Sequence, residues 1–436
     1  MARVVVVGAG VGGLAVAARL AALGHAVTVC EQAGEVGGKL GWYARDGFGF
    51  DTGPSLLTMP QVFEELFAAT GAPLRDVLRL APVEPVARYR YADGTTVKSS
   101  ADLDRFCRRL DAVFGAGAGE DWRRLLDRAR RIWAATRGPF LEAPGPPDLR
   151  ALALRRPYDL PVVAPGRSLR GLGAHYLRDP RLRMLLDRYA TYTGSDPRRA
   201  PAALAVVPYV EQAFGAWYVP GGLHRLGLAV AARAVERGAR LRLRTEVRAV
   251  TTSGGRVDGV RLADGGGLPA DIVVANADAE RVYGSLVRAP DALARLRRAT
   301  PSLSGFVLLL AVRGTTPGLA HHTVLFPADY DPELDAVFGG WLARDPTVYV
   351  VVPPDPSVAP AGCEAWFVLV NAARHGPRGA PGCLDWDRPG LAAGYAEHVL
   401  DLLAARGLPV RDRLCWYETI MPADLERQTG AVGGAI

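Results

Sequence analysis

Gly8, Gly10, Gly12 and Gly13 follow directly on the apolar run Arg3–Val7 and open an Ala/Leu-rich stretch. A bare GxGxxG is weak evidence, but after a strand and at the head of a helix it reads as a dinucleotide cradle. Gly8 permits the tight turn, Gly10 lets the backbone approach a pyrophosphate, and Gly13 lets helix and strand pack closely. The diphosphate would rest on free N–H groups at the positive end of the helix dipole. Glu31 follows a second run, Ala26–Cys30. Its carboxylate can accept from ribose hydroxyls, and its charge would repel a 2′-phosphate, which disfavours NADP.

Two further turns lengthen the ligand this cradle could hold. Glu35-Val-Gly37-Gly38-Lys39 offers a second glycine pair and a cation for the diphosphate. Phe50-Asp51-Thr52-Gly53-Pro54-Ser55 offers hydroxyl and carboxylate groups on another glycine turn. That combination suits a flavin and its ribityl chain, so the expected cofactor is FAD rather than NAD.

At these residues the chain resembles the bacterial-type phytoene desaturases and related carotenoid oxidoreductases. The resemblance runs through Gly8–Leu14, Glu31-Gln32, Gly37-Gly38 and Phe50–Pro54. It continues in Trp217-Tyr-Val-Pro-Gly221-Gly222, Ala275-Asn276-Ala277-Asp278, Leu319-Ala-His321-His322-Thr323-Val324 and Ala359–Cys363. It implies FAD contacts at Gly8, Gly10, Gly12, Gly13, Glu31, Gln32, Gly38, Lys39, Gly53, Pro54, Ser55 and Val247. It also implies dehydrogenation of a long apolar polyene, with the flavin accepting hydride. Relatives of this kind continue past the segment resembling Gly433–Ile436, into a Gly-rich motif that closes the nucleotide domain. The expectation is therefore a missing final FAD-binding segment, with apolar sheet surface left open.

A polyene hydrocarbon has no carboxylate or phosphate to grip, so its binding must come from burial of apolar area, roughly 25 cal/mol per Å² before association losses. An apolar tunnel ending at the flavin is expected. The residues name no catalytic base. His321 and His322 are adjacent, and on a strand they would point to opposite faces; a surface or core-capping pair is the plainer expectation. Asp148, Arg150 and Arg155 read as ordinary solvated charges.

The elements that must position these groups form an α/β chain. A βαβ start puts Arg3–Val7 and Ala26–Cys30 in one parallel sheet, the opening of a Rossmann-type FAD-binding domain. Residues 1–75 and 216–290 read as its two parts. Residues 76–215 read as a helical, basic region facing substrate or membrane, and 291–436 as a substrate domain of antiparallel sheet plus helices. Helices are predicted at Phe63–Thr70, over Ala101–Arg137 with a break at Gly115–Gly119, at Pro180–Tyr192, Leu223–Arg237 and Gly390–Arg406. Strands are predicted at Arg240–Val250, Val257–Leu262, Asp271–Ala275, Phe306–Val312, Val348–Val352 and Trp366–Val370.

Composition narrows the partners. The net charge is +7, and residues 102–199 alone carry 20 Arg, no Lys and 12 acids, about +8 of it. A local basic face suits an anionic membrane surface, and Leu149–Arg170 mixes leucines with arginines as interfacial segments do. Codon bias toward Arg is an equal alternative: Lys39 and Lys98 are the only lysines. A nucleic-acid partner is not expected, because no reading element accompanies the charge. Five scattered cysteines without a CxxC pair fit a reducing cytosol and no metal site. No secretory leader or stretch of roughly 18 apolar residues is apparent, so a cytoplasmic, peripherally membrane-associated protein is expected. Phosphate loops, HExxH and GxSxG are absent. Another carotenoid-modifying flavoenzyme (oxygenase, isomerase or saturase), an amine-oxidase-like flavoenzyme and a truncated, cofactor-poor lipid-binding protein are the rival readings.

Overall fold

The computed structural model describes residues 1–142 and 157–436. Three sheets carry the architecture. The first is parallel, in the order Ile272–Ala275, β1 (Arg3–Val7), β2 (Ala26–Cys30), Arg240–Arg242. Val4 to Val7 of β1 are buried on both faces, which is why this strand reads as an unbroken apolar run. Helix α1 (Val11–Ala22) covers one face with Leu14, Ala17 and Ala18, and packs beside the helix His224–Glu236. The outer strand Ile272–Ala275 is less covered, with Ile272 44% exposed.

The expected continuous strand Arg240–Val250 is two strands in two sheets. Arg240–Arg242 pairs with β2, and the chain then turns through Arg244, whose φ is +50°. The turn is pinned to the end of β2 by Arg244 N–H to the Ala33 carbonyl and Thr245 N–H to the Glu31 carbonyl. Val247–Ser253 then starts a three-stranded antiparallel sheet.

The largest sheet has seven strands, five of them antiparallel in succession around Ser304–Arg313 and Cys363–Ala372. The single parallel pairing joins Arg88–Arg90 to His322–Leu325, so two edge strands come from the otherwise helical stretch after residue 76. Strand Ser304–Arg313 is buried along nearly all its length. Phe306, Leu308, Leu310 and Val312 pack toward the helix Leu391–Ala405. Val307, Leu309 and Ala311 face the other way, toward Phe48 and Phe50. Side-chain alternation thus gives one strand two jobs.

Helices among the described residues between 103 and 214 form a separate core on the second face, around Trp122, Leu125, Ile132, Leu185 and Leu186. Asp102 and Asp179 cap two of them, accepting from Arg105 N–H at 2.9 Å and Arg181 N–H at 2.7 Å. The break near Gly115–Gly119 is real: the Asp111 carboxylate accepts from the Gly117 and Gly119 N–H groups, and Gly115 and Gly117 have positive φ. Much of the basic excess is paired internally. Asp121 takes both Arg124 and Arg178, and Arg170 bridges Asp187 and Asp331. Leu149–Arg156, with Asp148, Arg150 and Arg155, lies outside the described residues. No helix among the described residues is long and apolar enough to cross a membrane.

Candidate functional site

The site begins where β1 ends. Gly8 N–H donates to the Cys30 carbonyl and Asn276 N–H to the Val7 carbonyl, so three parallel strands converge on one turn. Their side chains leave no room for another. A Cβ on Gly8, at φ +97°, would stand 2.4 Å from the Asn276 carbonyl oxygen. On Gly10 and Gly12 it would meet the Asn276 side chain at 2.9 and 2.8 Å. On Gly13 it would lie 2.2 Å from the Gly8 carbonyl oxygen. Gly13 therefore sets the close packing of α1 on β1, as its spacing predicts. Gly10 serves a second purpose that its spacing does not reveal: it bridges to Gly37, and a Cβ on Gly38 would press within 3.2 Å of its Cα.

α1 starts at Gly10 with no side-chain cap and no acid in its first turn. Its leading N–H groups are thus available to an anion, and the dipole favours one. Glu31 half-buries its carboxylate at the end of β2, where it accepts from Ala9 N–H at 2.7 Å and Ala33 N–H at 2.8 Å. Each oxygen keeps a further lone pair for a hydroxyl donor.

These groups border one cleft of about 790 Å³, within the size range of small-molecule and cofactor sites. It runs from Glu31, Gln32 and Val247, past Gly8, Gly10, Gly12 and Gly38, to Pro54. Its far end reaches Trp42 and Tyr43 and touches Leu309, Thr419 and Ile420 of the seven-stranded sheet. Acids outnumber bases along it, with Glu31, Glu35, Glu246, Asp278, Glu418 and Asp424 against Lys39 and Arg281. A diphosphate here would rely on backbone N–H donors more than on side-chain cations.

Several expected residues sit elsewhere or do something else. Gly13 and Gly53 lie behind the cleft wall; a Cβ on Gly53 would fall 1.9 Å from the Lys39 carbonyl oxygen. Lys39 lines the cleft, but its Nζ donates to the Ala435 carbonyl at 2.9 Å. Ser55 belongs to a smaller inner cavity beyond the cleft. There its Oγ lies 3.1 Å from His322 Nε2. Asn276, Trp42 and Thr245 line the cleft without having been singled out as contacts. The Ala275–Asp278 motif directly after an apolar strand was the available signal for Asn276.

The inner cavity is walled by Trp42, Phe50, Val351, Val358, Ala365 and Phe367. Asp51 borders it, but both its oxygens are engaged, accepting from Leu223 N–H at 2.7 Å and His224 N–H at 2.9 Å. It caps the start of the helix His224–Glu236, and the His224 ring stacks on Trp42 at 4.1 Å. His321 and His322 are not a surface pair. Both are buried, and their rings stack at 4.4 Å. The strand begins at His322, so pleat alternation does not govern His321. Burial lowers the pKa of His321 to about 4 and that of His322 well below the usual histidine value. Both imidazoles are therefore neutral near pH 7.

Comparison with known proteins follows the same outline. Residues 11–325 match the family model described as flavin containing amine oxidoreductase. The chain belongs to this family. It is accordingly an oxidoreductase whose cofactor is FAD. The 4,4′-diapolycopene oxygenase of a Methylomonas species is 35% identical over all of this chain and 87% of its own length. A hydroxyneurosporene desaturase of Cereibacter sphaeroides is 38% identical over 87% of this chain and 77% of its own. Putrescine oxidase with bound putrescine shares the fold, with a TM-score of 0.59 at 15% identity over 96% of this chain and 84% of that one. The mixed sheets and helices described above are those of an amine-oxidase-like flavoenzyme. The cradle fits FAD: its four glycines exclude side chains from the turn, and the helix end presents free N–H groups.

Proposed function

We propose that the protein is an FAD-dependent desaturase of an acyclic carotenoid precursor. The observation that carries this reading is the similarity over most of the chain to relatives named for polyene substrates; the cavity adjoining the cofactor cleft, about 20 Å³, adds only a mostly apolar lining at its inner end. Its one carboxylate, Asp51, is already engaged with the N–H groups of Leu223 and His224. The rest of its lining is mostly hydrocarbon and aromatic, with Tyr218 and Ser55 as the other polar side chains.

The nucleotide part is read as Rossmann-type, built from residues 1–75 and 216–290, with 291–436 as the substrate domain. Glu31 would hold the adenosine ribose, the start of α1 the diphosphate, and Gly38, Pro54 and Val247 the walls. Gln32 and Lys39 flank the same groove. Bound FAD supplies the two-electron acceptor. Desaturation breaks two C–H bonds on adjacent carbons, one leaving as hydride and one as a proton, and the freed electron pair forms the new C=C bond. Apolar residues beside the cleft would hold the chain by burial and exclude water from the reacting carbons.

An insoluble substrate must be drawn from lipid, so the working location proposed is a membrane surface. Incubating the FAD-loaded protein with phytoene in liposomes tests the reaction. Absorbance should move to longer wavelength as conjugation lengthens. A flavin that an alkyl diamine reduces, while phytoene stays unchanged, would instead identify an amine oxidase.

A further inference from the structure

Trp42 lines both the cofactor cleft and the inner cavity, so its indole stands between them. It belongs to the strand Trp42–Arg45, which forms a hairpin with Phe48–Asp51. Its surroundings leave the ring almost no freedom. A Cβ on Gly49 would stand 2.0 Å from Trp42 Cζ2, and one on Gly222 would stand 2.6 Å from Cζ3. The six-membered part of the indole is thus wedged between two positions that carry no side chain. His224 stacks on the indole at 4.1 Å, with 30° between the planes. Asp51 in turn fixes His224 by accepting its N–H at 2.9 Å.

This clamp accounts for a residue that is otherwise unfavourable. Gly49 lies inside a strand, where glycine weakens the structure and marks a close approach. What approaches here is the Trp42 ring. A side chain held in this way is already ordered, so it loses little conformational entropy when a ligand packs on it.

The cleft runs from Glu31 to Trp42. With the ribose at Glu31 and the diphosphate on α1, the isoalloxazine of FAD would fall at the Trp42 end. We infer that Trp42 is the positioning residue for the flavin ring: a fixed wall that packs against the isoalloxazine and halts it at the mouth of the inner cavity. The inference rests on the cofactor orientation proposed above. A planar aromatic ligand is recognised by area and by ring-on-ring contact, which an indole supplies.

The test compares FAD with ADP, which carries the adenosine and diphosphate but no flavin. Each is titrated into the full-length, cofactor-free protein and followed by calorimetry. Loss of an aromatic side chain from a stacked base corresponds to about 10- to 100-fold in affinity. Trp42→Ala should weaken FAD by about that factor, leave ADP unchanged, and shift the visible absorbance band of the flavin still bound. Gly49→Ala pushes a methyl group into the indole and leaves the indole itself intact. It should likewise weaken FAD and spare ADP, and it serves where the Trp42 variant does not fold. FAD binding that neither substitution weakens, or ADP weakened as much as FAD, overturns the inference. Glu31→Ala separates that failure from a wrong orientation. It should weaken ADP and FAD alike; if it spares ADP, the orientation itself falls.

Discussion

Placing a single methyl group at residue 13 puts the cofactor cradle to a quantitative test. Gly13 lies inside α1, where alanine is ordinarily favoured over glycine by about 1 kcal/mol. Its added Cβ, however, would sit 2.2 Å from the Gly8 carbonyl oxygen and 3.1 Å from Asn276 Cβ. Carbon–oxygen contacts are comfortable near ~3.3 Å, so α1 must retreat from β1 by about 1 Å. Forced overpacking of this kind costs about 1–3 kcal/mol. The helix preference offsets only part of it, leaving a net loss of up to about 2 kcal/mol. The retreat also draws the N–H groups of α1 away from the proposed diphosphate position, and a loss of about 1.4 kcal/mol there is tenfold in affinity. Gly13→Ala should therefore lower stability in urea modestly and FAD affinity, read by flavin fluorescence, about tenfold or more. Gly24→Ala is the control. That glycine has φ +87° and nothing within 4 Å of an added Cβ, so it should lose about 1 kcal/mol of stability and bind FAD normally. A Gly13→Ala protein that is as stable as the parent and holds FAD as tightly would refute the close-packed cradle.

Two further outcomes follow from the same geometry. Glu31→Ala removes the acceptor for both Ala9 and Ala33 N–H as well as the proposed ribose partner. At about 1–3 kcal/mol for such losses, FAD affinity should drop at least about tenfold; an unchanged flavin titration would remove Glu31 from the site. The pKa of His321 is lowered to about 4 in the folded protein against about 6.5 unfolded. Between those values the unfolded chain binds the extra proton, so this residue makes stability fall with decreasing pH, by about 3 kcal/mol once below pH 4. His321→Phe keeps a ring for the stack, and its stability should lose less between pH 6.5 and 4 than the parent's; parallel curves would show that His321 carries no such linkage.

What was legible in the sequence was what is local. The turn Gly8–Gly13 and the acid Glu31 lie within one strand–helix–strand unit, so their spacing alone places them, and the structure sets them around one cleft. Strand Ser304–Arg313 was legible for a similar reason, since burial on both faces leaves an unbroken apolar run. Contacts spanning hundreds of residues were hidden. Nothing near Gly10 announces that Asn276 presses on it, nor does Trp42 announce its stack on His224. The division of Arg240–Val250 escaped notice because both halves have strand composition, and only their hydrogen bonds to the end of β2 force the turn at Arg244. Ser55 reads as a flavin contact only through its neighbours Gly53 and Pro54. One residue past the proline, the chain has left the cleft and Ser55 faces His322 instead.

The two-sided strand at the middle of the large sheet separates what holds the molecule up from what shapes its interior. Leu308 and Leu310 belong to the helix-backed scaffold, while Val307, Leu309 and Ala311 pack toward Phe48 and Phe50, and Leu309 lines the cleft. Exchanging Leu309 for a residue of different bulk alters the contour of the cleft and leaves the opposite layer intact. A lineage built on this plan can therefore reshape that wall without rebuilding its foundations.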